Sequence, residues 1–210
     1  MQAEFLQIHP KNPESRKIQH VVECLRGGGI IVYPTDTVYA MGCDIYNARS
    51  VEKLCKIKGI KQNKANFSFI CSDLSHISDF AKVSNNAFRL MKKTLPGPFT
   101  FILNATNEVP KILNANKKTI GIRVPDFEIT RQIVQELGHP IITTSIKGDI
   151  DDINEYPNDI EMIYDMHKNL VDIVIDGGWC GIVPSTVIDA TDDDFEIVRE
   201  GLGELNEFVF

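Results

Sequence analysis

The run Gly27-Gly28-Gly29-Ile30-Ile31-Val32-Tyr33-Pro34-Thr35-Asp36-Thr37-Val38-Tyr39-Ala40-Met41-Gly42 constrains this chain more than any other. Three glycines open into four consecutive apolar or aromatic residues, Ile30 to Tyr33, the pattern of a strand buried on both faces rather than one. Pro34 cannot donate to a ladder and ends that strand. The strand then delivers two threonines, an aspartate and a tyrosine, and the hydroxyls that follow sit at a strand end, a common place for a site on an α/β scaffold. The same residues also suit a plain ST- or Asx-turn.

The rest of the chain supplies the partners of such a strand. Ile18, Val21, Val22 and Leu25 recur at helical spacing, predicting a helix over Ser15 to Arg26 with Gly27 as its C-cap. Further helices are expected at Ala48–Lys58, Leu74–Ala81, Asn85–Lys93 and Ile129–Leu137, the last stopped by Gly138. An acidic, less regular stretch from Ile153 to Lys168 carries another, starting near Pro157. Strands are expected at Asn66–Ile70, Phe99–Leu103, Thr119–Val124, Ile141–Ser145 and Val171–Asp176. Ser185–Asp189 and Phe195–Arg199 are expected to pair across an Asp192-Asp193-Asp194 turn. Val109–Leu113 is expected to form a helical turn. Strands and helices alternate without a strict βαβ rhythm. The class is therefore α+β (α/β-like): a single twisted mixed sheet flanked by helices, in one domain over residues 1–210.

Composition excludes several function classes. At 210 residues and 43% hydrophobic, the chain needs no disulfide or metal staple. Its five cysteines form no CxxC pair and are expected to be reduced thiols of a cytoplasmic protein. No apolar run approaches the roughly 20 residues that cross a bilayer, so no membrane partner is expected. A formal charge of −7 argues against nucleic-acid binding driven by whole-molecule charge. It leaves room for a local basic cleft, and Lys53, Lys56, Lys58, Lys61 and Lys64 crowd one stretch.

No GxGxxG or GxxxxGK[ST] loop is present, nor HExxH, nor a GxSxG elbow. The histidines lack ligand spacing, so no metal site is predicted. Cys43 is a formal nucleophile candidate, though a small core cysteine is the better fit. What remains is a set of hydroxyl and basic residues at predicted strand ends: Thr35, Thr37, Lys58, Thr119, Arg123, Thr143, Ser145, Ser185, Thr186 and Arg199. Such a set suits a ligand bearing carboxylate and phosphate groups, which arginine forks and lysine meets as a point charge. Each member alone also has a plain role, as a strand former or a surface ion pair.

Several segments together carry a resemblance. PTDTVYAMGCD, KIKG, LPGPFTFIL, KTIGIRVPD, ITTS, PSTVIDA and VREG occur in the order seen in the Sua5/YrdC/YciO family, from Gly28 to Gly201. FSFICSDLSHIS and PSTVIDATDD look most like the YciO branch. The resemblance implies a twisted mixed sheet with a large concave, basic cavity. It implies a threonylcarbamoyl-AMP synthase-like activity, forming threonylcarbamoyl-adenylate from L-threonine, bicarbonate and ATP for a tRNA adenosine modification. Mg2+ would accompany ATP as substrate, with no tightly bound cofactor. The alternative it carries is a binder of double-stranded RNA, tRNA or rRNA without turnover.

Position by position, the resemblance implies that Thr35, Arg123, Thr143 and Ser185 hold threonine, with Arg123 forking its carboxylate. Lys58, Thr119, Ser145 and Arg199 would hold ATP, and Thr37 and Tyr39 would form the pocket wall. Lys58, Arg123 and Ser145 would carry the catalytic role. Two departures touch the ATP side. The family's K-x-R motif becomes Lys58-Gly59-Ile60, and its S-x-N motif becomes Ser145-Ile146-Lys147. Loss of a phosphate-facing arginine predicts weakened turnover.

Overall fold

The computed structural model describes residues 2–61, 67–75, 77–110, 118–146 and 156–205. The expected starts at Asn66 and Ile153, the segment 111–113, and Lys64 and Lys147 lie outside the described residues.

Among the described residues eleven strands form one sheet. They are β1 (Glu4–Gln7), β2 (Ile31–Tyr33), β3 (Ala40–Asp44), β4 (Ser68–Ile70), β5 (Ala81–Lys82), β6 (Phe99–Ala105), β7 (Thr119–Arg123), β8 (Ile141–Ser145), β9 (Ile173–Asp176), β10 (Thr186–Asp189) and β11 (Glu196–Arg199). The helices are α1 (Ser15–Arg26), α2 (Ala48–Ile57), α3 (Ile77–Phe80), α4 (Asn85–Thr94), α5 (Glu128–Leu137) and α6 (Ile160–His167). The spatial order is β1-β9-β2-β3-β8-β4-β7-β6-β10-β11, with β5 pairing on β6. Parallel pairs (β1·β9, β9·β2, β4·β7, β6·β10) mix with antiparallel ones (β2·β3, β3·β8, β4·β8, β6·β7, β10·β11). This is the mixed sheet that the sequence predicts.

The helix ends follow local chemistry. Asn47, Ser84 and Asp159 cap α2, α4 and α6 by accepting from backbone N–H groups of the first turn. Gly27 stands at the C-cap of α1 as expected, and the left-handed position follows at Gly28 (φ +89°).

Three expectations need correction. β1 and β3 were not anticipated. Of the helix expected over Leu74–Ala81 only the single turn of α3 forms: Ser75 N–H donates to Asp73 Oδ1 in a turn ahead of it, and the chain enters β5 at Ala81. The last helix starts at Ile160, behind its Asp159 cap, rather than near Pro157. β3 forms because it is paired on both edges, with Val32 opposite Met41 and Thr143 opposite Gly42. A Cβ on Gly42 would stand 2.5 Å from the Ile142 carbonyl oxygen, so only glycine lets β8 approach there.

The two faces of the sheet are covered differently. One face is buried from β9 to β10: Val32, Met41, Phe69, Ile122, Ile142, Val174, Phe101 and Ile188 share a cluster with residues of α2 and α4. On the other face, Ile31, Tyr33, Ala40, Ile70, Ile141, Ile173 and Ile175 pack under α1 and α5. That cover reaches only the β9-β2-β3 side and the near ends of β8 and β4. No helix among the described residues is long and apolar enough to cross a membrane.

Candidate functional site

Where α1 and α5 stop, the second face opens into a cavity of about 410 Å³. That is within the usual size of small-molecule sites. The cavity spans seven adjacent strands, from Ala40 on β3 to Arg199 on β11. Its polar lining follows the two-residue period of a strand: Thr119, Gly121 and Arg123 on β7, Thr143 and Ser145 on β8, and Thr100 and Ile102 on β6. Of the residues between them, Ile122 and Phe101 belong to the opposite, buried face, while Ile120 and Thr144 also border the cavity. The predicted placement at strand ends is therefore only partly right. Most of these side chains stand along the concave face of the sheet, not at its rim.

Six of the ten residues in the predicted constellation line this cavity: Thr119, Arg123, Thr143, Ser145, Ser185 and Arg199. Thr35, Thr37 and Lys58 reach it through those six. Thr186 does not take part, since its hydroxyl donates to the Gly203 carbonyl at 2.6 Å and accepts from Gly201 N–H. Tyr39, predicted on the wall, is turned away from it. Its ring is in the buried cluster and its hydroxyl donates to the Gly178 carbonyl at 2.8 Å.

Arg123 is the most enclosed cation of the site, only 7% exposed. Its Nη2 donates to Thr37 Oγ1 at 2.6 Å and Thr35 Oγ1 at 3.3 Å, and is paired with Asp36 Oδ1. Thr35 in turn donates to the Val38 carbonyl at 2.6 Å, which folds the turn back on itself. Thr130 on α5 donates to the Pro34 carbonyl at 2.6 Å and holds the turn from outside. Nη2 is therefore already engaged by the protein, so the expected two-toothed grip on a ligand carboxylate cannot use it as the structure stands. Nε of Arg123 and Oδ2 of Asp36 are buried without a hydrogen-bond partner among the described residues.

The other lining groups are also held from behind. The fully buried Tyr33 hydroxyl donates to Thr143 Oγ1 at 2.5 Å. Burial pushes that phenol well above its ordinary value, so it stays a neutral donor. Thr100 and Ser185 share a hydroxyl contact of 2.8 Å. Arg199 donates to the Ser185 carbonyl from Nε at 3.2 Å and from Nη2 at 2.7 Å. Burial lowers its pKa, while Tyr156 across the cavity wall raises it. Lys58 Nζ donates to the Ser145 carbonyl at 3.1 Å, which fixes the lysine beside β8 rather than on a solvated helix face.

Tyr33, Asp36 and Thr100 were missed as site residues. Tyr33 and Thr100 look like ordinary strand residues, Tyr33 as the aromatic end of an apolar run. Two other candidates resolve. Cys43 is buried and its thiol is pushed up to about 12, chiefly by burial and then by Asp44, so it is a core residue rather than a nucleophile. Ile60, in the place of the family's arginine, packs against the apolar cluster and does not line the cavity.

Known proteins share both the sequence and the geometry. A family model named Sua5_yciO_yrdC, described as telomere recombination, matches residues 23–201. The uncharacterized protein YciO of Escherichia coli is 44% identical over 208 residues, covering 99% of this chain and all of that protein. Its crystal structure superposes with a TM-score of 0.90. A threonylcarbamoyl-AMP synthase of Coxiella burnetii is 30% identical over 165 residues, 78% of this chain and 86% of its own length. The crystal structure of P. abyssi Sua5 complexed with L-threonine gives a TM-score of 0.86 at 25% identity. That match covers 97% of this chain and 59% of the Sua5 chain. With a family match over most of its length and a near-complete superposition on YciO, the chain belongs to the Sua5/YciO/YrdC family.

Proposed function

We propose that this protein makes threonylcarbamoyl-adenylate from L-threonine, bicarbonate and ATP. One observation carries the reading. The hydroxyl and arginine positions matched to the family's threonine and nucleotide residues, hundreds of ångströms apart along an extended chain, meet around one cavity. The L-threonine complex of the Sua5 relative supports an amino acid as one ligand.

In this reading threonine occupies the Arg123 side, its carboxylate on the edge of the guanidinium that Asp36 leaves open. Thr143 and Ser185, each fixed by a second hydroxyl, position the rest of the molecule. The threonine amine takes up CO2 from bicarbonate as a carbamate. A carbamate oxygen then attacks the α-phosphorus of ATP and pyrophosphate leaves. Arg199 and Lys58 oppose the phosphate charge, with Thr119 and Ser145 beside them, and Mg2+ enters as part of the substrate. No covalent enzyme intermediate is needed, so the protein's work is positioning and charge neutralisation.

Ile60 supplies no charge where the family has arginine, so turnover is expected to be slow. The RNA-binding alternative has no observation in its favour: in the lysine run, Lys53 is paired with Asp172 and Lys58 donates to the Ser145 carbonyl. The decisive experiment is incubation with ATP, L-threonine and bicarbonate. Pyrophosphate and threonylcarbamoyl-adenylate should appear together and only when all three are present. Their absence over hours at high enzyme concentration would overturn the assignment.

A further inference from the structure

Asp36 has no role in the proposed chemistry, yet it stands closer to the central cation than any other acid among the described residues. Its side chain is only 11% exposed and that of Arg123 only 9%. Taken together, the two charges cancel at that end of the cavity. The Cys180 thiol near them adds none, being pushed up to about 12 chiefly by burial. The contact is also incomplete. Asp36 uses one oxygen and Arg123 one nitrogen, while Oδ2 and Nε lack partners among the described residues. A lone arginine in such a place would attract any carboxylate. A neutral pair would not, because an added anion stays uncompensated where water is scarce.

From this geometry we infer that Asp36 is a specificity-determining residue, which makes the Arg123 end of the cavity select a zwitterionic α-amino acid over a plain carboxylate. The inference rests on the amino-acid reading above and adds its charge rule. A zwitterion brings no net charge to the neutral pair, and its ammonium group finds the negative end of the Asp36–Arg123 dipole close by. A carboxylate lacking the amine is rejected by the charge it leaves unbalanced.

The test uses L-threonine and 3-hydroxybutyrate, the same skeleton without the amine, in binding calorimetry on the full chain. The parent should prefer threonine by about tenfold or more, the scale of a close charge coupling. Asp36→Asn keeps the shape and frees the arginine charge, so the ratio should collapse to within about threefold, mostly through tighter 3-hydroxybutyrate binding. Asp36→Glu keeps the charge and should keep the preference. Arg199 is common to both probes and all variants, so it cancels from the ratio. A purely structural role would weaken both ligands together and leave the ratio alone. An unchanged ratio in folded Asp36→Asn overturns the inference. So does a parent that takes 3-hydroxybutyrate as well as threonine, which needs no variant and leaves the threonine reading standing. A parent that binds neither overturns both.

Discussion

The two halves of the second sheet face share one backbone and differ in what stands at alternate positions. On β2 and β9 these positions hold Ile31, Tyr33, Ile173 and Ile175, sealed under α1 and α5. On β7 and β8 they hold Thr119, Gly121, Arg123, Thr143 and Ser145, with the cavity above them. The covered half gains stability from apolar burial. The open half gives that up and keeps polar groups in fixed orientations, with Thr143, Ser185 and Arg123 backed by Tyr33, Thr100 and Asp36. A single sheet thus divides its width between holding the fold and holding a ligand.

The sharpest way to break this division is Arg123→Ala. It should lower L-threonine affinity by about 100-fold and destabilise the protein by about 3–5 kcal/mol, because Asp36 is left as a buried, uncompensated charge. Calorimetry and chemical denaturation measure the two effects, and unchanged threonine affinity would remove Arg123 from the site. Ile133→Ala, on α5 over the covered half, should cost about 2–5 kcal/mol of stability. The folded protein should still bind threonine within about twofold of the parent. A parallel loss of affinity would show that the halves are not separable.

Tyr33→Phe probes the seam, since its ring lies under the helices and its hydroxyl serves Thr143 on the open side. About 1 kcal/mol of stability should be lost, with threonine affinity falling several-fold in the same calorimetric titration. The smallest effect is expected from Thr119→Val, at an exposed position of the open half. Stability should stay within about 0.5 kcal/mol of the parent, while ATP affinity falls a few-fold. A large stability change there would mean that the open half also carries the fold.

Much of this architecture is legible in the residues, and the exceptions have physical reasons. α1, α4 and α5 announce themselves by apolar spacing and terminal signals, and β2 by its unbroken apolar run. β3 escapes notice because Ala40, Gly42 and Cys43 are poor strand formers that pairing with β2 and β8 overrides. β1 is a short edge strand with mostly exposed side chains and no alternation to betray it. The front row of the site is visible as residue types, and the alternation in KTIGIRV marks a strand with two unlike faces. The back row is not visible, because the bond from Tyr33 to Thr143 joins residues on different strands and leaves no local trace. The direction of Asp36 is likewise set by β7, not by its own turn.

The pairing of β1 has a consequence for how the molecule is made. Among the described residues β1 has one partner, β9, and seven other strands come between them in the chain. At synthesis rates of about 5–20 residues per second, β1 emerges from the ribosome on the order of ten seconds before β9 exists. During that interval Phe5 and the unpaired strand edge are open to any neighbouring nascent chain. A stalled or truncated product ending before Ile173 keeps that edge exposed, and quality-control factors should recognise it there.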